Sequence, residues 1–243
     1  MQHSNAKLVP RNSIRQTIML KDGKVPNDRK ALERVSSWEK AGCPLPGPES
    51  HAHFMPFGRT SAEEARSVGR LGVDFKEAAV FIGIESDGHV VLIERAPNGG
   101  VHGGQMALPG GAREAGESLP MCALREWREE LGLNPSYSPN SAPVSLTEVH
   151  VAPSGFIVRP YLARVELSEV LQFDRSEVAA IHRIGLADLL DETHSQNQKV
   201  RAGGENGFVF SAPGFSFPGI PFIWGATAMI LGELKAILVS AEG

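Results

Sequence analysis

Residues 110–133 read GGAREAGESLPMCALREWREELGL. Ser118 as an N-cap, Pro120 in a first turn and Gly132 as a left-handed stop predict a helix over about 119–131. At about 100° per residue, Glu126, Glu129 and Glu130 share an arc of roughly 100° on that helix. Leu124, Trp127 and Leu131 form an apolar stripe that lies away from them. Like charges at these spacings cost roughly 0.2–0.5 kcal/mol per pair, and carboxylates in a last turn oppose the negative end of the helix dipole. Two accounts fit such a face: carboxylates solvated beside Arg125 and Arg128, or carboxylates gathered around a cation.

The preceding residues favour the cation. Pro109, Gly110 and Gly111 form a loop whose backbone can approach a ligand closely, so a carbonyl can join the carboxylates. Oxygen donors of this kind suit a hard dication such as Mg²⁺, which bridges protein carboxylates to substrate phosphates.

Working outward, EAAVFIGIE (77–85) and HVVLIER (89–95) alternate as strands on either side of Ser86, Asp87 and Gly88, which predicts a tight hairpin. Further strands are expected in VSLTEVHVA (144–152), GFIVRPYLARVEL (155–167) and VAAIHRI (178–184), and a helix in IWGATAMILGELKAILV (223–239). Glu192 and His194 fall in an expected loop before QNQKVRAGGENGF (196–208). The result is an α/β or α+β layer fold, a mixed sheet with helices packed on it.

Residues 1–75 are more polar and read as a partly helical N-terminal extension, with helices expected at 28–42 and 61–72 and a loop at 43–58. His51 and His53 in that loop could bind a metal but lack a third ligand in the sequence. The domain proper is expected over 76–243.

The chain has 243 residues, 42% hydrophobic and 21% charged, enough for a core of normal size. A net charge of -4 argues against nucleic acid as a partner bound through overall charge, and places recognition of anions in a local site. Cys43 and Cys122 are the only cysteines, too few for a disulfide framework or a cysteine zinc site, so a reducing compartment is expected. The N-terminal stretch lacks the apolar run of a secretory signal, which favours the cytoplasm, with a mitochondrial or other organelle matrix as the alternative. Residues 206–232 are uncharged but broken by Pro213, Pro218 and Pro221, so no membrane span is expected.

The spacing of the whole segment, Gly111, five residues, Glu117, seven residues, then Arg125-Glu126-Trp127, Glu129-Glu130 and Gly132-Leu133, resembles the signature of the Nudix hydrolases at every defined position. That resemblance implies the Nudix fold, an α/β/α sandwich, and hydrolysis of a diphosphate linked to another moiety with Mg²⁺ or Mn²⁺. It implies Glu126, Glu129 and Glu130 as catalytic metal ligands, with the Gly111 carbonyl as a further ligand and Glu117 with Arg125 as a structural ion pair. Glu177 is the first choice for a fourth acidic ligand or base from beyond the signature, ahead of Glu192 and His194. Homodimers are common in the family.

Just upstream, LIERAPNGGVHGGQMALPGG (92–111) resembles the extra motif of the coenzyme A diphosphatase subfamily, with Arg95, His102, Gly104 and Gln105 as the implied substrate contacts. The likeness continues in PSGFIVRPYLARV, SEVAAIHRIGLADLL and IWGATAMIL. Ile93, Gly100 and Leu108 stand where the subfamily has Thr, Arg and Phe, and the missing arginine is a natural phosphate partner. The implied small-molecule substrate is coenzyme A or a derivative, cut to adenosine 3′,5′-bisphosphate and 4′-phosphopantetheine. The alternatives are ADP-ribose, NADH or a dinucleotide, and a non-catalytic ligand sensor on the same fold.

Overall fold

The structure, a computed structural model, describes residues 28–56, 75–97, 102–132, 142–151, 154–166, 173–203 and 207–240. The helix expected at 61–72 lies outside them. The hairpin forms as its sequence directs: β1 (Lys76–Glu85) turns through Gly88, at φ 87°, into β2 (His89–Arg95). The segment 106–112 supplies β3 (Met106–Ala107) and β4 (Gly110–Ala112), followed by helix α3 (Leu119–Leu131). Two helices precede β1, α1 (Asp28–Ala41) and α2 (Glu49–Ala52). Beyond α3 come β5 (Val144–Ser145), β6 (Val149–Val151), β7 (Phe156–Val165), β8 (Val178–Gly185) and the short α4 (Leu186–Leu190). The chain then runs through β9 (Ser195–Ala202), β10 (Phe208–Phe215) and β11 (Ile223–Trp224) into α5 (Gly225–Ser240).

β1 and β7 pair in parallel from Lys76↔Phe156 to Glu85↔Val165, while the other pairings are antiparallel, so the sheet is mixed as expected. Along its other edge β1 holds β2 only at Ile84↔Val90. Where β2 leaves β1, residues 106–112 fill the wedge, pairing first with β2 through β3 and then with β1 through β4. That wedge is where the site is built.

Strand alternation sorts the apolar residues onto two faces. Phe81, Val91 and Ile93 face α3 and Trp127 in one core; Ile82, Leu92 and Ile184 face α5 and α1 in the other. Helices thus cover both faces of the sheet, the layered α+β arrangement read from the sequence.

Two expectations change. VSLTEVHVA was expected as one strand and is two, β5 and β6, each paired with β7. The chain breaks at Thr147 because its amide and hydroxyl both donate to the fully buried Glu233 of α5, at 3.1 and 2.6 Å. Residues 195–215, given no strand in the sequence reading, form the hairpin β9–β10 of a separate three-stranded sheet with β11. β9 reads SQNQKVRA, polar and buried only at Val200, so it lacks the apolar alternation that marks a strand.

Residues 28–56 share the α5-side core, with Ala31, Val35, Trp38, Phe54 and Met55 buried in it. Asp28 Oδ1 accepts from the Ala187 amide at 2.9 Å, and the Phe54 ring stacks on Phe215 with centroids 4.4 Å apart. Among the described residues, no helix is long and apolar enough to cross a membrane.

Candidate active site

Trp127 seats α3. Its ring packs against Phe81 at 4.9 Å and lies over Gly83, where a Cβ would come within 2.3 Å of the indole. The helix ends on Gly132 at φ 72°, whose amide donates to Arg128 O at 2.8 Å. At the other end the expected cap is absent: the Ser118 side chain makes no capping hydrogen bond, and only its carbonyl takes part, accepting from Cys122 N at 2.9 Å.

With the helix so fixed, the three glutamates occupy three environments. Glu129 is half exposed. Glu126 is largely covered and stands against Gly111, where a Cβ would fall 2.4 Å from Glu126 Oε1. Glu130 is buried at 2% exposure, which departs from the reading of three carboxylates on an open face. Its Oε2 accepts from Gly110 N at 2.9 Å, and its Oε1 lies 3.7 Å from Arg95 Nη1. Burial, opposed by the Gly110 amide and Arg95 and reinforced by the charges of Glu126 and Glu177, lifts the Glu130 carboxyl to about 7. Burial also raises Glu126, against the pull of Arg125.

Arg125 holds the loop to the helix. Its Nε and Nη2 donate to Glu117 at 2.9 and 3.2 Å, its Nη2 also to Ala112 O at 3.1 Å, and its Nη1 to Glu126 and Glu129 at 2.8 and 2.9 Å. The guanidinium holds the Glu117 carboxyl below its usual range, and Glu117 also accepts from the Glu114 amide at 3.1 Å. Cys122 Sγ donates toward Gly111 O at 3.5 Å; burial, then the Glu117 charge, push the thiol up to about 11, so it stays protonated.

The wedge gathers the remaining residues of the upstream motif. Arg95 exchanges backbone hydrogen bonds with that loop: its amide donates to Gln105 O at 3.0 Å, and Gly104 N, at φ 71°, donates to its carbonyl at 2.9 Å. His102 Nδ1 and Gln105 Oε1 are 3.2 Å apart. Glu177 is exposed at the start of β8, where its carbonyl accepts from Ala96 N at 2.8 Å, next to Arg95. Ile93 is buried in the core on the α3 side and Leu108 in the core on the α5 side, while Gly100 lies outside the described residues.

Other sequence candidates sit elsewhere. His51 is buried with Nε2 3.4 Å from Glu233 Oε2, and His53 is exposed, so the two do not form a ligand pair. Glu192 meets Lys235 Nζ at 3.0 Å, and His194 is buried with Nδ1 2.8 Å from Ser216 O. The sequence reading missed the Gly110 amide as a partner and the burial of Glu130. Position 130 lies only about 60° from Trp127 on a helix, which was the available signal.

Among the described residues no group of three His, Cys, Asp or Glu side chains already stands as a metal cage, and Arg125 Nη1 donates to both Glu126 and Glu129. The donor chemistry nonetheless fits a hard dication. The carboxylates and the Gly111 carbonyl are all oxygen donors, and among the described residues the buried Glu130 carboxylate meets one amide and a guanidinium 3.7 Å away.

The NUDIX domain profile matches residues 74–202. The chain belongs to the NUDIX family. Over 175 residues it is 31% identical to an uncharacterized Nudix hydrolase, NudL, of Yersinia enterocolitica, covering 68% of this chain and 83% of that one. Over 149 residues it is 30% identical to a probable nudix hydrolase, C6G9.05, of Schizosaccharomyces pombe, covering 58% of this chain and 48% of the relative, so it spans about half the length of that protein. Among solved structures, a MutT protein from Methanosarcina mazei Go1 is similar at 20% identity and a TM-score of 0.37, over 49% of this chain and 83% of that one. The Nudix fold, and an enzyme class hydrolysing diphosphate bonds of nucleotide derivatives, are those of the family, whose members generally use divalent metal ions.

Proposed function

We propose that this Nudix protein hydrolyses the diphosphate of coenzyme A or a derivative, releasing adenosine 3′,5′-bisphosphate and 4′-phosphopantetheine, with Mg²⁺ or Mn²⁺. The observation that carries the metal-dependent chemistry is the Glu130 carboxylate, buried on the carboxylate face with the Gly110 amide at 2.9 Å and Arg95 Nη1 at 3.7 Å, and the upstream motif carries the choice of coenzyme A. A buried carboxylate so poorly compensated beside Glu126 is favourable once a dication shares it. Glu126, Glu129, Glu130 and the Gly111 carbonyl would hold the metal, with Glu177 as a further acidic ligand. A dication there would neutralise the diphosphate and acidify water.

The chain's own residues set the geometry. Arg125 ties Glu117 and the Ala112 carbonyl to α3, holding Gly111 against Glu126. Arg95, at the end of β2 beside Glu130, is placed to meet a phosphate, with His102, Gly104 and Gln105 on the adjoining turn. Coenzyme A is favoured over ADP-ribose, NADH or a dinucleotide by this motif, and the buried positions of Ile93 and Leu108 make two of its three departures changes of core packing. Both cysteines are free thiols, which suits a reducing compartment such as the cytoplasm. A homodimer, the family's common assembly, is the expected state in solution and is checked by light scattering.

The test is incubation of the protein and Mg²⁺ with coenzyme A, acetyl-CoA, ADP-ribose, NADH and diadenosine polyphosphates, with products identified by mass. Adenosine 3′,5′-bisphosphate with 4′-phosphopantetheine is the expected pair. Turnover of another member alone overturns coenzyme A and keeps the chemistry; no turnover of any substrate moves the protein to ligand sensing.

A further inference from the structure

The stretch IWGATAMIL (223–231) has no part in the carboxylate site, yet the fold brings it to the edge of that site. It forms β11 and the first turns of α5, alongside β3. Thr227 Oγ1 donates to Met106 O at 3.2 Å, fastening the start of α5 to the strand that leaves the His102–Gln105 turn. β11 belongs to the smaller sheet but lies against β3, the strand that pairs with β2 at Glu94 beside Arg95, so Trp224 stands at the same end of the main sheet as Arg95.

The three tryptophans of the chain differ in setting. Trp38 and Trp127 are buried, one in each core, whereas Trp224 is only half-buried. Its ring meets that of Phe210 at 5.7 Å and 78°, and Phe210 lies against Phe208 at 5.4 Å and 31°. The register of the small sheet explains the row: Phe208, Phe210, Ala212 and Gly214 alternate onto one face of β10, and Gly214 is the partner of Trp224. Phe208, at the outer end of this row, is 59% exposed.

We propose that Trp224, cornered by Phe210, is the stacking wall for the nucleobase of the nucleotide whose diphosphate occupies the carboxylate site. Two nearly perpendicular rings offer one face to stack on and one edge to meet, a shape that a flat heteroaromatic ring fills and a flexible thiol chain does not. Stacking of this kind is tolerant of base identity, so the wall selects nucleotides as a class, and hydrogen bonds elsewhere must discriminate among them. This rests on the diphosphatase reading above, and its test has a readout that needs no turnover.

Tryptophan emission of the wild-type protein in EDTA is titrated with AMP, inorganic pyrophosphate and 4′-phosphopantetheine. KM is then measured with Mg²⁺ and whichever diphosphate the protein cleaves, for wild type, W224F and W224A, each checked for an unchanged melting transition. AMP is expected to quench the emission while the other two do not. W224A is expected to raise KM roughly tenfold or more, as the loss of one stacked base does, with W224F close to wild type. Absence of quenching by AMP, quenching by 4′-phosphopantetheine in its place, or a W224A KM equal to wild type overturns the proposal. A wild type that cleaves nothing overturns the diphosphatase reading alone, because quenching by AMP still reports on the wall; should W224A fail to fold, the titration of the wild type decides.

Discussion

Glu129 and Glu130 are neighbours in sequence, yet one is half exposed and the other buried, and their roles can be separated on that basis. Glu129→Gln keeps the shape and removes the charge, and is expected to lower Mg²⁺-dependent turnover by two to three orders of magnitude, the scale of losing one electrostatic catalytic group; steady-state kinetics with the best substrate check it. Glu130 carries a pH signature instead. Its folded-state carboxyl is raised to about 7 from 4.5, so its contribution to stability is fully present below about pH 4.5 and is lost as pH rises through 7. In EDTA, the melting temperature of the wild type relative to Glu130→Gln should therefore fall between pH 5 and 8, and saturating Mg²⁺ should reverse the trend. The sequence spacing reveals that these carboxylates share a helix face. It does not reveal which of them the wedge covers, because that depends on how β4 pairs with β1 and where the Gly110 amide then points.

At the scale of elements, α3 is held from both sides, by Trp127 on the sheet and by Arg125 on the loop. Gly83→Ala drives a methyl into the Trp127 ring and is expected to destabilise the protein by about 1–3 kcal/mol, measured by urea unfolding. Arg125→Lys keeps one positive charge but cannot reproduce bonds to Glu117, Ala112 O, Glu126 and Glu129 at once. It is expected to weaken metal binding roughly 10- to 100-fold, the usual cost of removing a group that orients ligands; calorimetry with Mn²⁺ reads it. The bounds of α3 were legible because apolar period, Pro120 and Gly132 all agree there, and those of β2 because the Ser86–Gly88 turn precedes an apolar run. The β9–β10 hairpin was not, since its strands lie away from the main sheet and β9 is buried only at Val200, so polar residues cost little there. The split of β5 from β6 was hidden for another reason. It is imposed by Glu233, some 86 residues further along the chain, through bonds that no local pattern announces.

At the scale of the molecule, the polar composition of residues 1–75 marked an extension of unknown role, and within it α1 and the segment around Phe54 fill the α5-side core. Trp38→Ala is expected to cost about 3–5 kcal/mol, as other buried tryptophans do, although it lies far from the carboxylates; chemical unfolding with unchanged KM for the surviving native protein separates this from a site effect. The contacts that anchor this segment run to the far end of the chain, His51 to Glu233, Phe54 beneath Gly232, and Arg34 to the Leu238 carbonyl. During synthesis α1 is therefore made roughly 180 residues before the helix it packs against. At ~5–20 residues per second the ribosome needs on the order of 10–40 s to deliver that partner. Through this interval the apolar stripe of Ala31, Val35 and Trp38 is without its native cover, so the nascent chain calls for chaperone protection until α5 emerges.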